Sequence, residues 1–360
     1  MKEKTQKLPT VADIARLSGT NRSTVSRILN NKKGFSASEK CRLRVLEIAK
    51  ELKYQPKSSA RSLATNKSYC IGVIVGDAYA FSSPFFIPVI SEMTRLCNQN
   101  NYKVVLMPVH RDGNIDDEVS KAVRSGGCDG FYIGSGMIGR QTLHELSEHS
   151  IPVVTTESIT SRLGNRHKVS SVIEEIEPAY MEMAAELHRL GHRRIAAVLN
   201  LAYVPTLMDR LNILKDSLKK FGIEIKDDDV FAFRPQLNCV LADRKEARDE
   251  AVRVMARLRR YSAVVAMSDL TALGVCDAFL ESGIEPGKQI AVAGYDNLEG
   301  TPFYPSQKPL LATIDPHKLE KGRRIAETLL EDMSRPGHAI VVHNIKASFI
   351  PRRSLCPAIK

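Results

Sequence analysis

TVADIARLSGTNRSTVSRILNN, residues 10–31, is the stretch on which the reading of this chain turns. Thr10 to Leu17 has the pattern of a short helix. Thr10 offers a cap, Asp13 follows three residues on, and Val11, Ile14, Ala15 and Leu17 make an apolar face. Gly19 predicts a stop and a tight turn. A second helix is predicted from a cap at Asn21 to about Asn30, with Val25, Ile28 and Leu29 turned inward. A third is predicted from Ser36, where Ser36 and Glu39 have capping-box spacing, to about Lys53. Its expected face is Val45, Leu46, Ile48, Ala49 and Leu52. Two short helices joined through glycine and closed by a third make the helix-turn-helix layout. In that layout the second helix reads the major groove. Arg22, Ser23, Ser26 and Arg27 alternate with its apolar residues, and arginine near a helix start suits bidentate contact with guanine. The plain alternative is an ordinary surface helix with solvated polar positions.

Charge weighs against that alternative. Residues 1–70 hold 16 Lys+Arg against 5 Asp+Glu, whereas residues 71–360 hold 36 of each. The whole net charge of +11 therefore lies in the first fifth of the chain. A basic head on a neutral body implies a polyanion-binding module attached to something else. The 360 residues, 43% hydrophobic and 26% charged, exclude a disordered chain, a collagen and a disulfide scaffold. The seven cysteines are scattered with no CxxC pair, which reads as reduced thiols rather than a zinc site. No apolar run reaches the ~18 residues of a membrane span, and MKEKTQKLPT has no signal-peptide core. The expected location is the cytoplasm.

Pro56 ends the third helix, and KSSARSLA (57–64) is a short basic segment carrying one large apolar residue, Leu63. The run from Thr10 through this segment to the strand IGVIV (71–75) resembles the LacI/GalR family of bacterial transcription regulators. The resemblance implies a helix-turn-helix DNA-binding domain over 1–55, a hinge over 56–70 and an effector-binding, dimerising domain over 71–360. It implies that Arg22 and Ser23 read bases and that Thr10, Thr24, Ser26, Arg27 and Asn30 support base and phosphate contacts. It further implies a hinge helix in which Ser59, Ala60, Leu63 and Ala64 meet DNA, with Leu63 wedged into the minor groove. Arg22 departs from the commoner residues at its position, so no relative's operator sequence carries over.

Residues 71–360 alternate strand-like and helix-like segments. Strands are predicted at 71–75, 102–108, 129–134, 151–156, 193–200, 262–268 and 289–296, with helices such as 178–191 and 243–258 between them. That order points to parallel sheets, too many strands for one, hence two α/β lobes with a ligand cleft at the strand C-termini. The resemblance makes this a periplasmic-binding-protein-like fold crossed three times by the chain. The N-lobe is expected over about 71–169 and 312–335, the C-lobe over about 170–311 and 336–360. It also implies effector contacts from Glu157, Arg210, Ser268, Asp269 and Asp296. Asp77, Tyr79 and Phe85 are candidates for the N-lobe side, the aromatics equally readable as core. Glu157 stands where an aspartate is usual. One arginine among carboxylates suits a polyhydroxylated ligand, a sugar or sugar derivative.

GSGMIG (134–139) fits GxGxxG and has Glu157 about twenty residues on, the dinucleotide-binding spacing. It sits on the third strand, not the first, so an NAD-dependent enzyme is the second reading. A transport-type sugar binder is the third. No HExxH, GxSxG or P-loop is present. The sequence thus points to a ligand-responsive repressor without catalytic residues, metal or cofactor, acting as a homodimer on a near-palindromic operator. The C-terminus FIPRRSLCPAIK has no leucine heptads, which favours a dimer over a tetramer.

Overall fold

The basic head folds as one unit, Met1–Tyr69, and Cys70–Lys360 as another. The computed structural model describes residues 9–29, 34–54, 62, 65, 67–76, 83–109, 115–125, 127–134, 140–148, 151–156, 169–201, 206–234, 243–302, 304–335, 337 and 339–359.

In the head, α1 (Val11–Ser18), α2 (Arg22–Leu29) and α3 (Glu39–Glu51) enclose Ile14, Ala15, Val25, Ile28, Val45 and Ala49. Thr10 and Asp13 form a reciprocal capping box. Gly19 closes α1 in the left-handed conformation (φ 66°), its N–H donating to the Ala15 carbonyl. Asn21 caps α2, its side-chain oxygen accepting from the Thr24 N–H at 2.7 Å. The third helix begins later than the sequence suggested. Ser38, not Ser36, accepts from the Cys41 N–H, and Glu39 becomes the first helical residue. Two serines two residues apart offer the same chemistry, and the packing of Val45 and Ala49 selects the register. Leu46, expected inside, is 45% exposed.

The second unit holds two six-stranded sheets. The first contains β1 (Cys70–Gly76), β2 (Lys103–Val109), β3 (Gly130–Ile133), β4 (Val153–Thr155), β5 (Ser170–Glu175) and β11 (Val342–Lys346) in the order β11-β5-β4-β3-β1-β2. All its pairings are parallel. Helices α4 (Phe86–Gln99), α5 (Ile115–Arg124), α6 (Arg140–Glu148) and α12 (Lys318–Ser334) belong to this lobe. The second sheet contains β6 (Ile195–Asn200), β7 (Val230–Phe233), β8 (Ala263–Ala266), β9 (Ala291–Tyr295), β10 (Ala312–Asp315) and β12 (Ser348–Ile350) in the order β12-β10-β9-β8-β6-β7. Only β12 runs antiparallel. Its helices are α7 (Glu177–Arg189), α8 (Thr206–Lys219), α9 (Asp243–Arg253), α10 (Met255–Leu258) and α11 (Asp269–Glu281). Strands buried on both faces, such as Ala263–Ala266, read as unbroken apolar runs, as parallel central strands do.

The chain crosses between lobes after β5, β10 and β11, three times as expected, but the lobe limits differ. Residues 170–175 and 342–346 lie in the first sheet, and 312–315 lie in the second. Val172 and Ile345 pack with Ile71, Val73 and Val154, whereas Ala312 and Ile314 pack with Val265 and Tyr295. The residues 243–258, read as one helix, break at Val254. Their charges do not merely pair along one solvated face. Arg244 makes a two-pronged bridge to Asp277 and Arg248 one to Glu281, both on α11.

Candidate functional site

On α2 the apolar side, Val25 and Ile28, is buried, and Arg22, Ser23 and Arg27 are exposed. The Ser23 hydroxyl donates to the Asn21 side-chain oxygen at 2.7 Å, which leaves its lone pairs outward as acceptors. Arg27 lies over the Phe35 ring, 5.3 Å from its centre, so its guanidinium is held on an aromatic face. Thr24 and Ser26 are half-buried. Thr10 is exposed, but its hydroxyl donates to Asp13 at 2.7 Å, so its first task is the cap. Asn30, Ser59, Ala60, Leu63 and Ala64 lie outside the described residues, as do Asp77, Tyr79 and Glu157.

In the second unit the strand C-termini bring together side chains far apart in sequence. Arg210 on α8 is buried; Nη1 donates to the Met267 carbonyl beyond β8 at 2.8 Å. Its guanidinium lies 3.6 Å from the centre of the Tyr295 ring, and Nη2 is 3.8 Å from Asp296 Oδ1. The Tyr295 hydroxyl donates to Glu174 at 3.0 Å, which joins β9 of one lobe to β5 of the other. Lys321 bonds the other Glu174 oxygen and lies 5.0 Å from the centre of the Phe85 ring. Lys318 donates to the main-chain carbonyl of Asp296. Burial raises the Glu174 carboxyl, but Lys321 and Arg210 outweigh it, and its pKa falls below the ordinary value. Burial pushes Asp296 up to about 6 against the pull of Arg210 and Lys318.

Of Ser268 and Asp269, expected as a pocket-lining pair, Ser268 is half-buried beside Met267 and Asp269 lies inside. Ser268 caps α11, its hydroxyl oxygen accepting from the Thr271 N–H. Asp269 is fully buried, with one oxygen accepting from the Leu298 N–H at 2.8 Å and the other from the Thr313 hydroxyl at 2.7 Å. It braces the loop that carries Asp296. Pocket polarity read from sequence could not separate a brace from a lining residue, because both sit just after a strand. Glu174, Tyr295, Lys318 and Lys321 went unread; the one available signal was two lysines at the start of a helix, where the dipole disfavours them. In the GSGMIG segment only Gly134 is described; residues 135–139 are not.

Burial, and then the neighbouring Asp296, push Asp269 up to about 7. A carboxyl that holds its proton more tightly folded than unfolded makes the fold less stable as pH rises from about 4 through about 7. An asparagine cannot titrate. The stability deficit of Asp269→Asn relative to wild type, from urea unfolding, is therefore expected to grow as pH falls from 7 to 5. The limit is about 1.4 kcal/mol per pH unit. A flat or shrinking deficit would remove Asp269 as the titrating group.

Residues 10–57 match the profile of bacterial regulatory proteins, lacI family. Residues 68–353 match that of periplasmic binding proteins and the sugar binding domain of the LacI family. Among curated relatives, the HTH-type transcriptional regulator MalR of Clostridium butyricum is 26% identical over 328 residues, 89% of this chain and 90% of that one. The HTH-type transcriptional repressor PurR of Photobacterium profundum is 24% identical, covering 97% of this chain and 99% of its own. The lac repressor dimer, solved with operator and the anti-inducer ONPF, shares the fold. Its TM-score is 0.78 at 22% identity, across 97% of this chain and 99% of that one. With both profiles together spanning almost the whole chain, this protein belongs to the LacI family of bacterial regulatory proteins.

Proposed function

We propose that the chain is a ligand-controlled transcriptional repressor. It acts in the cytoplasm, without catalytic activity of its own, and binds a near-palindromic operator as a homodimer. The observation that carries this is α2, whose Arg22, Ser23 and Arg27 are exposed over a buried Val25 and Ile28 within a +11 head. A two-fold dimer offers two such helices to two half-sites. Along α4 and the edge strand β2, a groove lined by Phe86, Ile87, Ile90, Thr94 and Leu106 suits a second copy of the chain. Leu106 is 46% exposed there and its neighbour Val105 on β2 is 39% exposed, so the apolar edge is not a single residue.

The ligand site in this reading is the cleft at Arg210, Tyr295 and Asp296, and the ligand a carbohydrate or carbohydrate derivative. The sugar-binding-domain profile over 68–353 supports this, as does the mixture of guanidinium, carboxylate and aromatic face. Glu174 and Lys318 link the lobes across the crossovers, so a ligand that changes those links shifts the lobe equilibrium by its differential affinity.

The test is selection of bound duplexes from a random pool, then titration with ligands found by thermal shift. A recurrent inverted-repeat sequence is expected, and a pool with no enrichment overturns the repressor reading. Arg210→Ala is expected to abolish the ligand's effect on operator binding while leaving operator affinity without ligand within about twofold. An unchanged ligand effect would take Arg210 out of the site.

A further inference from the structure

Cys70 opens β1, and Cys128 stands two residues before β3. The two strands are parallel neighbours, with Ile71 opposite Gly130 and Gly72 opposite Phe131. One step back, the Asp129 N–H donates to the Cys70 carbonyl at 2.8 Å, so the contact between the chains extends to Cys70 and Asp129. Cys128 is therefore diagonal to Cys70. Neighbouring strands ~4.8 Å apart and a rise of ~3.3 Å per residue put their Cα atoms about 6 Å from each other, a separation that a disulfide spans.

The two side chains share a face. Alternate residues of a strand do so, which places Cys70 on the side of Gly72 and Ile74. A Cβ at Gly72 would meet the Phe131 ring and the Met107 sulfur, and Ile74 packs with Phe131 and Ile133. Cys128 lies against that same cluster. It precedes β3, so the alternation within Gly130–Ile133 does not turn it away. Both residues are half-buried thiols. Burial, then the neighbouring Cys70 and Asp129, push the Cys128 thiol up to about 11. Cys97, Cys276 and Cys356 are shifted by burial and, at Cys276, by charged neighbours, with no second thiol among the causes.

The pair also sits at a junction. Tyr69, the last residue of the first unit, precedes Cys70 and is held in the left-handed region at φ 56°, which is unfavourable for a residue with a Cβ. A main-chain shift at Cys70 passes directly into that residue, on the segment that leads to the basic head.

We infer that Cys70 and Cys128 are an oxidant-responsive pair, and that the disulfide between them weakens operator binding. The oxidant is a hydroperoxide. The Cys70 sulfur attacks the peroxide, the O–O bond breaks, and the alcohol or water departs with the thiol proton, which leaves a sulfenic acid on Cys70. The Cys128 sulfur then attacks the Cys70 sulfur. The S–S bond forms, the S–O bond breaks, and the hydroxyl leaves with the Cys128 proton as water. Two thiols lose two electrons and two protons, and the peroxide takes them up. Cys70 reacts first, because so little of Cys128 is ionised at neutral pH. A reversible disulfide of this kind is compatible with a compartment that keeps structural thiols reduced. The effect on operator rests on the repressor reading above; the disulfide itself does not.

The test treats the full chain with hydrogen peroxide, alkylates the remaining thiols and maps peptides without reductant. A peptide linked through Cys70 and Cys128 is expected, with two of the seven thiols lost and both regained with dithiothreitol. Neither Cys70→Ser nor Cys128→Ser forms it. In Cys128→Ser the oxidation stops at the Cys70 sulfenic acid, which dimedone traps. Both cysteines recovered as alkylated thiols, or linked to other cysteines, overturn the inference. Fluorescence anisotropy on the selected duplex gives the second readout. Affinity is expected to fall about fivefold or more in oxidised wild type and to stay within about twofold in either serine variant given the same peroxide. No change, or an equal change in wild type and variants, overturns the switch. A reduced chain that selects no duplex loses the repressor reading, and the peptide map still decides the disulfide.

Discussion

Arg22→Ala is expected to weaken operator binding by ~1–3 kcal/mol, roughly 5- to 150-fold, and to relax base choice at one position of each half-site. The side chain is exposed on the first turn of α2. The Asn21 cap at 2.7 Å and the buried Val25 and Ile28 fix the axis from which it projects. A bidentate arginine–guanine contact depends on that fixed axis. Arg27→Ala has a different signature. Its guanidinium rests on Phe35, so the substitution also removes a cation–π contact. If Arg27 meets phosphate, specific and non-specific DNA weaken together and the salt slope falls by about 0.9. Fluorescence anisotropy across a salt series, with operator and scrambled duplex, distinguishes the two. Wild-type affinity in both variants would show that α2 does not enter the groove.

A large loss of stability is expected from Gly322→Ala. A Cβ at this position would lie 2.3 Å from the Val89 main-chain oxygen and 3.0 Å from its carbonyl carbon. Those atoms belong to α4, which packs along α12, and a backbone cannot swing aside as a side-chain tip can. The helices must separate, at a cost of about 3 kcal/mol or a midpoint lowered by roughly 6–10 °C. Because Gly322 follows Lys321, the same displacement pulls the ammonium away from Glu174. Gly337→Ala provides the comparison. Gly337 has φ 85° but nothing within 4 Å of the added methyl, so only backbone strain of about 1 kcal/mol applies. Similar losses for the two would remove the close approach of α4 and α12 as the cause.

Local chemistry carried the head. The box of Thr10 with Asp13, the glycine stop and the apolar spacing of α1 and α2 all act within four residues, and the helices formed where those signals lie. The third helix missed by three residues at its start because Ser36 and Ser38 are equivalent as local signals. In the body, strands rich in Val, Ile and Ala were legible as apolar runs. Of those passed over, SSVIEE at 170–175 and VHNIK at 342–346 are polar and lie at or near the sheet's edge and its crossover, whereas VFAF at 230–233 and ATID at 312–315 are apolar but only four residues long.

By itself the sequence determined that a charged three-helix head precedes a neutral α/β body, because caps, turns and burial patterns are short-range and additive. Tertiary structure decided which sheet each crossover strand joins, and that Glu174 meets Lys321 from 147 residues away. It also turned Asp269 from a presumed lining residue into a buried brace. Such outcomes depend on which surfaces exclude water together, and that is a property of the packed whole that no window along the chain contains.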